Sequence, residues 1–172
     1  MKIEDIYKKL QEKFADKILE TNFEVKEPIV GVDPQSIALV CGFLKSEPDL
    51  KFTSLMCLSS VDLDEENIQA VYHLHSMDHN HKVVLGVVVS KTATTIPSVA
   101  GIWRTADWHE REAYDLMGFE FEGHPDHRRI LCPDDWEGHP LRKDYVVQEM
   151  YNGMPVPYSE DDYDKKVGSL KF

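Results

Sequence analysis

The chain has 172 residues, 42% of them hydrophobic and 29% charged, which suits one soluble globular domain with a sizeable core. Its net charge of -12 argues against nucleic acid, which needs a basic footprint, and against direct docking on anionic lipid, but leaves a basic protein partner open. Three cysteines (Cys41, Cys57, Cys132) lie in apolar contexts with no CxxC pair, as packed thiols of a reducing compartment do.

In chain order, residues 2–19 read as an amphipathic helix, because Ile3, Ile6, Tyr7, Leu10, Phe14 and Ile18 recur at steps of three and four. No apolar signal core is present there, so secretion is not expected. Residues 23–32 are predicted to be an edge strand, or two short ones, interrupted by Pro28. The apolar run IALVCGFLK (37–45) reads as a strand, and residues 49–64 as a short helix or turn leading into a loop. Residues 70–77 alternate, with Tyr72 and Leu74 on one face and His73 and His75 on the other. A turn at 78–81 then leads to the apolar strand 82–91, expected to be covered on both faces, so that the two strands form a β-hairpin. That apolar run is far too short to span a bilayer. Ile96-Pro97-Ser98 predicts a helix start with Ser98 as N-cap, running to about Met117, where Gly118 offers a stop. Beyond it, Pro125, Pro133 and Pro140 forbid long helices. The expected fold is α+β, a mostly antiparallel sheet covered by helices with a long irregular C-terminal arm. Residues 1–145 would form the domain and 146–172 an extended acidic tail.

The segment 108–145 concentrates charge, histidine, tryptophan and His-Pro pairs among large apolar residues. Charges drawn toward buried surface must be paired and hydrogen-bonded. On a helix Arg111 and Asp115 are i,i+4 neighbours and Glu110 shares a face with Tyr114, while Glu112 lies opposite Glu110 and needs its own cation. Arg128, Arg129, Arg142 and Lys143 follow where they could fold back on the helix acids, and the arginine fork suits carboxylates. The predicted ion-pair and interface residues are Glu110, Arg111, Glu112, Asp115, His124, Arg128, Arg129, Arg142, Lys143 and Asp144.

Other chemistry finds less support. His73, His75, His79 and His81 cluster on one hairpin, but geometry rather than count makes a metal site. His109-Glu110 opens like HExxH, but Ala113 stands where the second histidine is required. His124, His127 and His139, with Cys132, could form an irregular site for a stand-alone metalloenzyme. GxSxG, GxGxxG, a phosphate loop and an iron–sulfur cysteine framework are all missing.

The stretch EREAYDLMGFEFEGHPDHRRIL (110–131) resembles the signature of the 30 kDa component of respiratory complex I, the proton-pumping NADH:quinone oxidoreductase. Glu110, Arg111, Glu112, Asp115, Leu116, Met117, His124, Arg128, Ile130 and Leu131 fill the signature positions, and His127 departs from the apolar residue more usual there. PDDWEGHPLRKDY (133–145) is also similar to the family, as are the strand at 71–74 and residues 97–99. The resemblance implies a scaffold component without flavin, cluster or quinone site of its own, packed in the peripheral arm on the cytoplasmic side of a bacterial inner membrane. It would contact the 49 kDa component and lie near cluster-bearing subunits, with FMN, iron–sulfur clusters and quinone held by those partners and membrane association only indirect. Similar subunits occur in membrane-bound hydrogenase-type complexes, which the sequence does not separate from complex I.

Overall fold

The computed structural model of the protein describes residues 2–19, 21 and 23–156. The expected acidic tail therefore falls largely outside the described residues.

Helix α1 (Ile3–Phe14) follows the predicted period and buries Ile6, Leu10 and Phe14. It stops at Ala15, whose φ of 41° leaves the helical region, and a single turn of 3-10 helix follows. Only Ile29–Gly31 of the predicted edge strand forms β1. The run predicted as a strand at 37–45 is instead α2 (Ile37–Ser46). Its buried residues, Ile37, Val40, Cys41 and Leu44, recur at helical spacing, and Pro34 opens the turn that leads into it. The reverse correction applies to 49–64, where Ser54–Asp62 is strand β2. A register shift between Leu55 and Cys57 breaks its alternation, which hides the period of two from the sequence.

The predicted hairpin is present as β3 (Asn67–Ser76) and β4 (His81–Ser90), paired antiparallel from Asn67↔Ser90 to Ser76↔His81. The sheet order is β1-β4-β3-β2, antiparallel except for the parallel pair β1–β4. One face carries Leu55, Leu58, Ala70, Tyr72, Leu74, Leu85 and Val87 into a core shared with α1 and α2. The other face is not covered in the way expected for β4, for Val88 is 42% exposed. His81 starts β4 as a buried residue and not a turn residue, its Nε2 hydrogen-bonded to the Leu50 carbonyl at 2.8 Å.

Strand β5 (Thr95–Pro97) pairs in parallel with β6 (Glu120–Glu122), and between them lies α3 (Ala106–Met117), packed on β2. The helix thus starts eight residues later than Ser98, the predicted N-cap. Residues 98–105 turn first, so that Val99 and Trp103 enter the core and the Trp103 indole N–H donates to the Phe52 carbonyl at 3.0 Å. Gly118 ends α3 as predicted, in the left-handed region at φ 75°. From Gly123 the chain is an arm of turns, closed by a small hairpin, β7 (Met150–Tyr151) and β8 (Met154–Pro155). Asn152 and Gly153, both at positive φ, make its turn.

Candidate functional site

Helix α3 carries three charged residues inside the protein: Glu110 and Asp115 are 0% exposed and Arg111 is 4% exposed. Burying a carboxylate demands hydrogen bonds, and the two acids meet this demand in different ways.

Asp115 faces the arm. Its Oδ2 accepts the backbone N–H groups of Ile130, Leu131 and Cys132 at 3.0, 2.7 and 2.8 Å. Its Oδ1 accepts Arg129 Nη1 at 2.6 Å. Burial acts to raise the Asp115 pKa, but the N–H groups of Cys132, Leu131 and Ile130 and the Arg129 guanidinium together outweigh it and hold the carboxyl at about 2. The predicted i,i+4 pair with Arg111 does not form. Arg111 turns to the 126–128 turn, reaching Asp126 at 3.5 Å and the Arg128 carbonyl at 3.3 Å, with its guanidinium 5.1 Å from the Trp108 ring centroid. Arg128 is exposed and pairs locally with Asp126 at 3.1 Å.

The arm also closes the C-terminus of α3, where the last carbonyls lack helical partners. Arg129 Nη1 and His139 Nδ1 reach the Asp115 carbonyl at 3.0 and 3.1 Å. The Leu141 N–H donates to the Leu116 carbonyl at 3.0 Å, and Arg142 Nε donates to the Met117 carbonyl at 2.8 Å. Cationic groups at this end also complement the helix dipole. Arg142 was expected on a helix acid; it serves the helix backbone instead.

Glu110 faces the core. Ser98 Oγ donates to its Oε2 at 2.6 Å and the Val99 N–H to its Oε1 at 2.7 Å. Burial, opposed by these two bonds, raises its pKa to about 7. His124, whose side chain is fully buried, brings Nε2 within 3.8 Å of Glu110 Oε2 and 3.2 Å of the Asp107 carbonyl. His124 Nδ1 accepts the Asp126 N–H at 3.0 Å, which assigns the ring proton to Nε2. Asp115 ties the arm to α3 directly, while Glu110 ties α3 to Ser98 and Val99, with the arm's His124 bonded to the neighbouring Asp107 carbonyl.

Lys143 and Asp144 are drawn away from α3. The Lys143 N–H donates to Asp62 Oδ2 at 2.8 Å, and Lys91 reaches Asp62 at 2.9 Å and Asp144 at 3.8 Å. The Lys143 N–H is the main cause holding the Asp62 carboxyl below the usual carboxylate range, against burial. Sequence reasoning missed Asp62 and Lys91; they lie at the ends of strands that only the sheet register brings together. Glu112 is exposed and has no ion pair or hydrogen bond among the described residues.

The three histidines considered with Cys132 bond backbone groups. His127 Nε2 accepts the Phe121 N–H at 3.2 Å, and His124 and His139 bond backbone groups as above. Among the described residues no group of three or more His, Cys, Asp or Glu side chains is arranged to hold a metal ion, and no helix is long and apolar enough to cross a membrane.

Known proteins resemble this chain along most of its length. Its sequence is 48% identical over 157 residues to the C subunit of NADH-quinone oxidoreductase from Chloroherpeton thalassium, covering 88% of this chain and 64% of that protein. It is 47% identical over 155 residues to the Chlorobium phaeobacteroides protein of the same name, covering 88% of this chain and 93% of that one. It thus spans just under two thirds of the first relative and nearly all of the second. Among solved structures, the trypsin-resistant fragment of Nqo5 superposes with a TM-score of 0.55 at 25% identity, over 70% of this chain and 98% of the fragment. A chain of an archaeal membrane-bound sulfane sulfur reductase shares the fold, with a TM-score of 0.69 at 23% identity over 98% of this chain and 92% of that one. The family model described as respiratory-chain NADH dehydrogenase, 30 Kd subunit, matches residues 30–151. The chain belongs to that 30 kDa subunit family.

Proposed function

We propose that this chain is the 30 kDa component of the peripheral arm of a proton-pumping NADH:quinone oxidoreductase, and that it acts by assembly rather than by turnover. Relatives that carry the name of the C subunit of NADH-quinone oxidoreductase support the complex. The observation that carries the docking role is the arm itself. Asp115 fixes its backbone at residues 130–132 and Arg129 at Gly138, and Leu131, Leu141, Val146 and Met150 are 62%, 58%, 83% and 54% exposed along the arm. Exposed apolar side chains on a backbone fixed in advance make a docking surface, because little ordering entropy is left to lose on binding. On this reading the surface seats on the 49 kDa component and lies close to cluster-bearing subunits. FMN, iron–sulfur clusters and quinone belong to those partners. The assembly sits peripherally on the cytoplasmic side of the bacterial inner membrane, which the chain reaches only through its partners.

Affinity purification of a tagged chain from its native membrane tests this. The expected result is co-recovery of cluster-bearing and quinone-site subunits with NADH:quinone reductase activity. Recovery of the chain alone from intact complex preparations contradicts it.

A further inference from the structure

Glu112 is the exception in α3. Asp107, Glu110 and Asp115 lie beside imidazole, N–H or cationic groups of this chain, whereas Glu112 makes no hydrogen bond or ion pair among the described residues. It lines a cavity of about 180 Å³ between β2, α3 and the arm, together with Ser59, His109, Ala113, Leu116 and Leu141. That volume lies below the roughly 300–1,000 Å³ of small-molecule pockets and suits a single side chain. Ala113, Leu116 and Leu141 offer apolar wall to a methylene stem, and the Glu112 carboxylate and Ser59 hydroxyl offer acceptors to its tip. Trp108, one turn earlier on the same side of α3, is 63% exposed, and Leu141 is 58% exposed. An apolar rim around one charged group is the arrangement of an interface hot spot, in which arginine is enriched. The chain's net charge of -12 favours a cationic occupant.

We propose that Glu112 anchors an arginine of a partner protein, seated in this cavity between β2, α3 and Leu141. Arginine fits better than lysine because its planar fork meets a carboxylate with two donors and is more weakly hydrated. The proposal rests on the reading that the chain is docked in a larger complex.

The test compares the purified full chain with the assembled complex. Carboxyl labelling with carbodiimide and glycinamide, read by mass spectrometry, should modify Glu112 in the free chain and spare it in the complex. Phenylglyoxal should spare one partner arginine in the wild-type complex and label it in a Glu112→Gln complex. Glu112→Gln, an exposed substitution expected to leave the melting temperature of the free chain unchanged, should weaken association at least about tenfold. A complex that forms normally while Glu112 labels equally in both states overturns the proposal and leaves the docked reading standing. Protection of Glu112 with no change at any partner arginine overturns the assignment of arginine. Protection already complete in the free chain means a segment of this chain fills the cavity, and overturns it too. Failure of the wild-type chain to bring down any partner removes both readings.

Discussion

The body of this protein and its arm are held by different physics. In the body, strands β1–β6 and helices α1–α3 share a continuous apolar core, and its backbone groups pair within regular elements. In the arm, residues 123–149 contain no regular element, and their order comes from hydrogen bonds to Asp115, the Asp107 carbonyl, Asp62 and the last carbonyls of α3. Burial is nondirectional and tolerates repacking, whereas a carboxylate receiving three N–H groups fixes one backbone path. The comparison teaches why so much charge is concentrated on α3: the helix is the template on which an irregular segment acquires a single shape.

The largest effect should follow from Asp115→Ala. It leaves three N–H groups without their acceptor and the Arg129 guanidinium without its carboxylate, at about 3–5 kcal/mol for a broken buried pair. We expect the arm to become protease-sensitive while the far-UV circular dichroism of the body persists. Loss of body and arm together in one transition would erase the distinction between them. Leu85→Ala, at a position 0% exposed in the sheet core, is the converse. It should lower global stability by about 2–5 kcal/mol, measured by urea unfolding, with the arm following the body and not preceding it.

pH separates the two helix acids by sign. The Glu110 pKa is raised from 4.5 to about 7, so the folded state holds its proton more tightly than the unfolded chain. The stability this proton confers is fully present below the unfolded pKa and is lost as pH rises from about 4.5 to 7, on the order of 3 kcal/mol. Glu110→Gln should flatten that slope in thermal melts. Asp115 behaves oppositely: its pKa falls from 3.8 to about 2, so its contribution is present above the unfolded pKa and is lost as pH drops through that window, roughly 2–3 kcal/mol. An Asp115→Asn variant should lack this acid transition. Equal slopes in wild type and both variants would show that neither acid titrates as its surroundings require.

Gly118→Ala is expected to act least, by about 1–2 kcal/mol from its left-handed backbone. A Cβ there would also lie 2.6 Å from Arg142 Nη2 and His139 Cδ2, so the damage should centre on the arm's capping of α3. Hydrogen exchange at Leu141 and Arg142 is the readout; unchanged rates would mean that these caps do not hold the arm.

Much of the body was legible because periodicity reports burial. The 3.6 period of α1, the alternation of β3 and the glycine stop of α3 are all local signals. The errors have local causes as well. In α2 the strand-forming Ile37, Val40 and Phe43 obscured a helical period that Pro34 and the spacing of buried residues carry. In β2 an extra residue between paired positions disrupted the alternation. At Ser98 a plausible cap proved to be a ligand for Glu110, twelve residues on. The site was legible in composition but not in pairing. Which cation meets Asp115 depends on where residues 128–132 return to the helix, and helical spacing alone favours Arg111 over Arg129. Asp62 and Lys91 carried no sequence signal, because sheet register and the return of the arm bring them together.

The most direct test of a surface shaped before docking is amide hydrogen exchange at Ile130, Leu131 and Cys132 in the free chain. Their N–H groups lie 3.0, 2.7 and 2.8 Å from Asp115 Oδ2, so they should exchange far more slowly than unstructured backbone, and Asp115→Ala should release all three together. Exchange at random-coil rates in the free chain, with protection only after a partner binds, would mean that the arm folds on its partner and that α3 is no template.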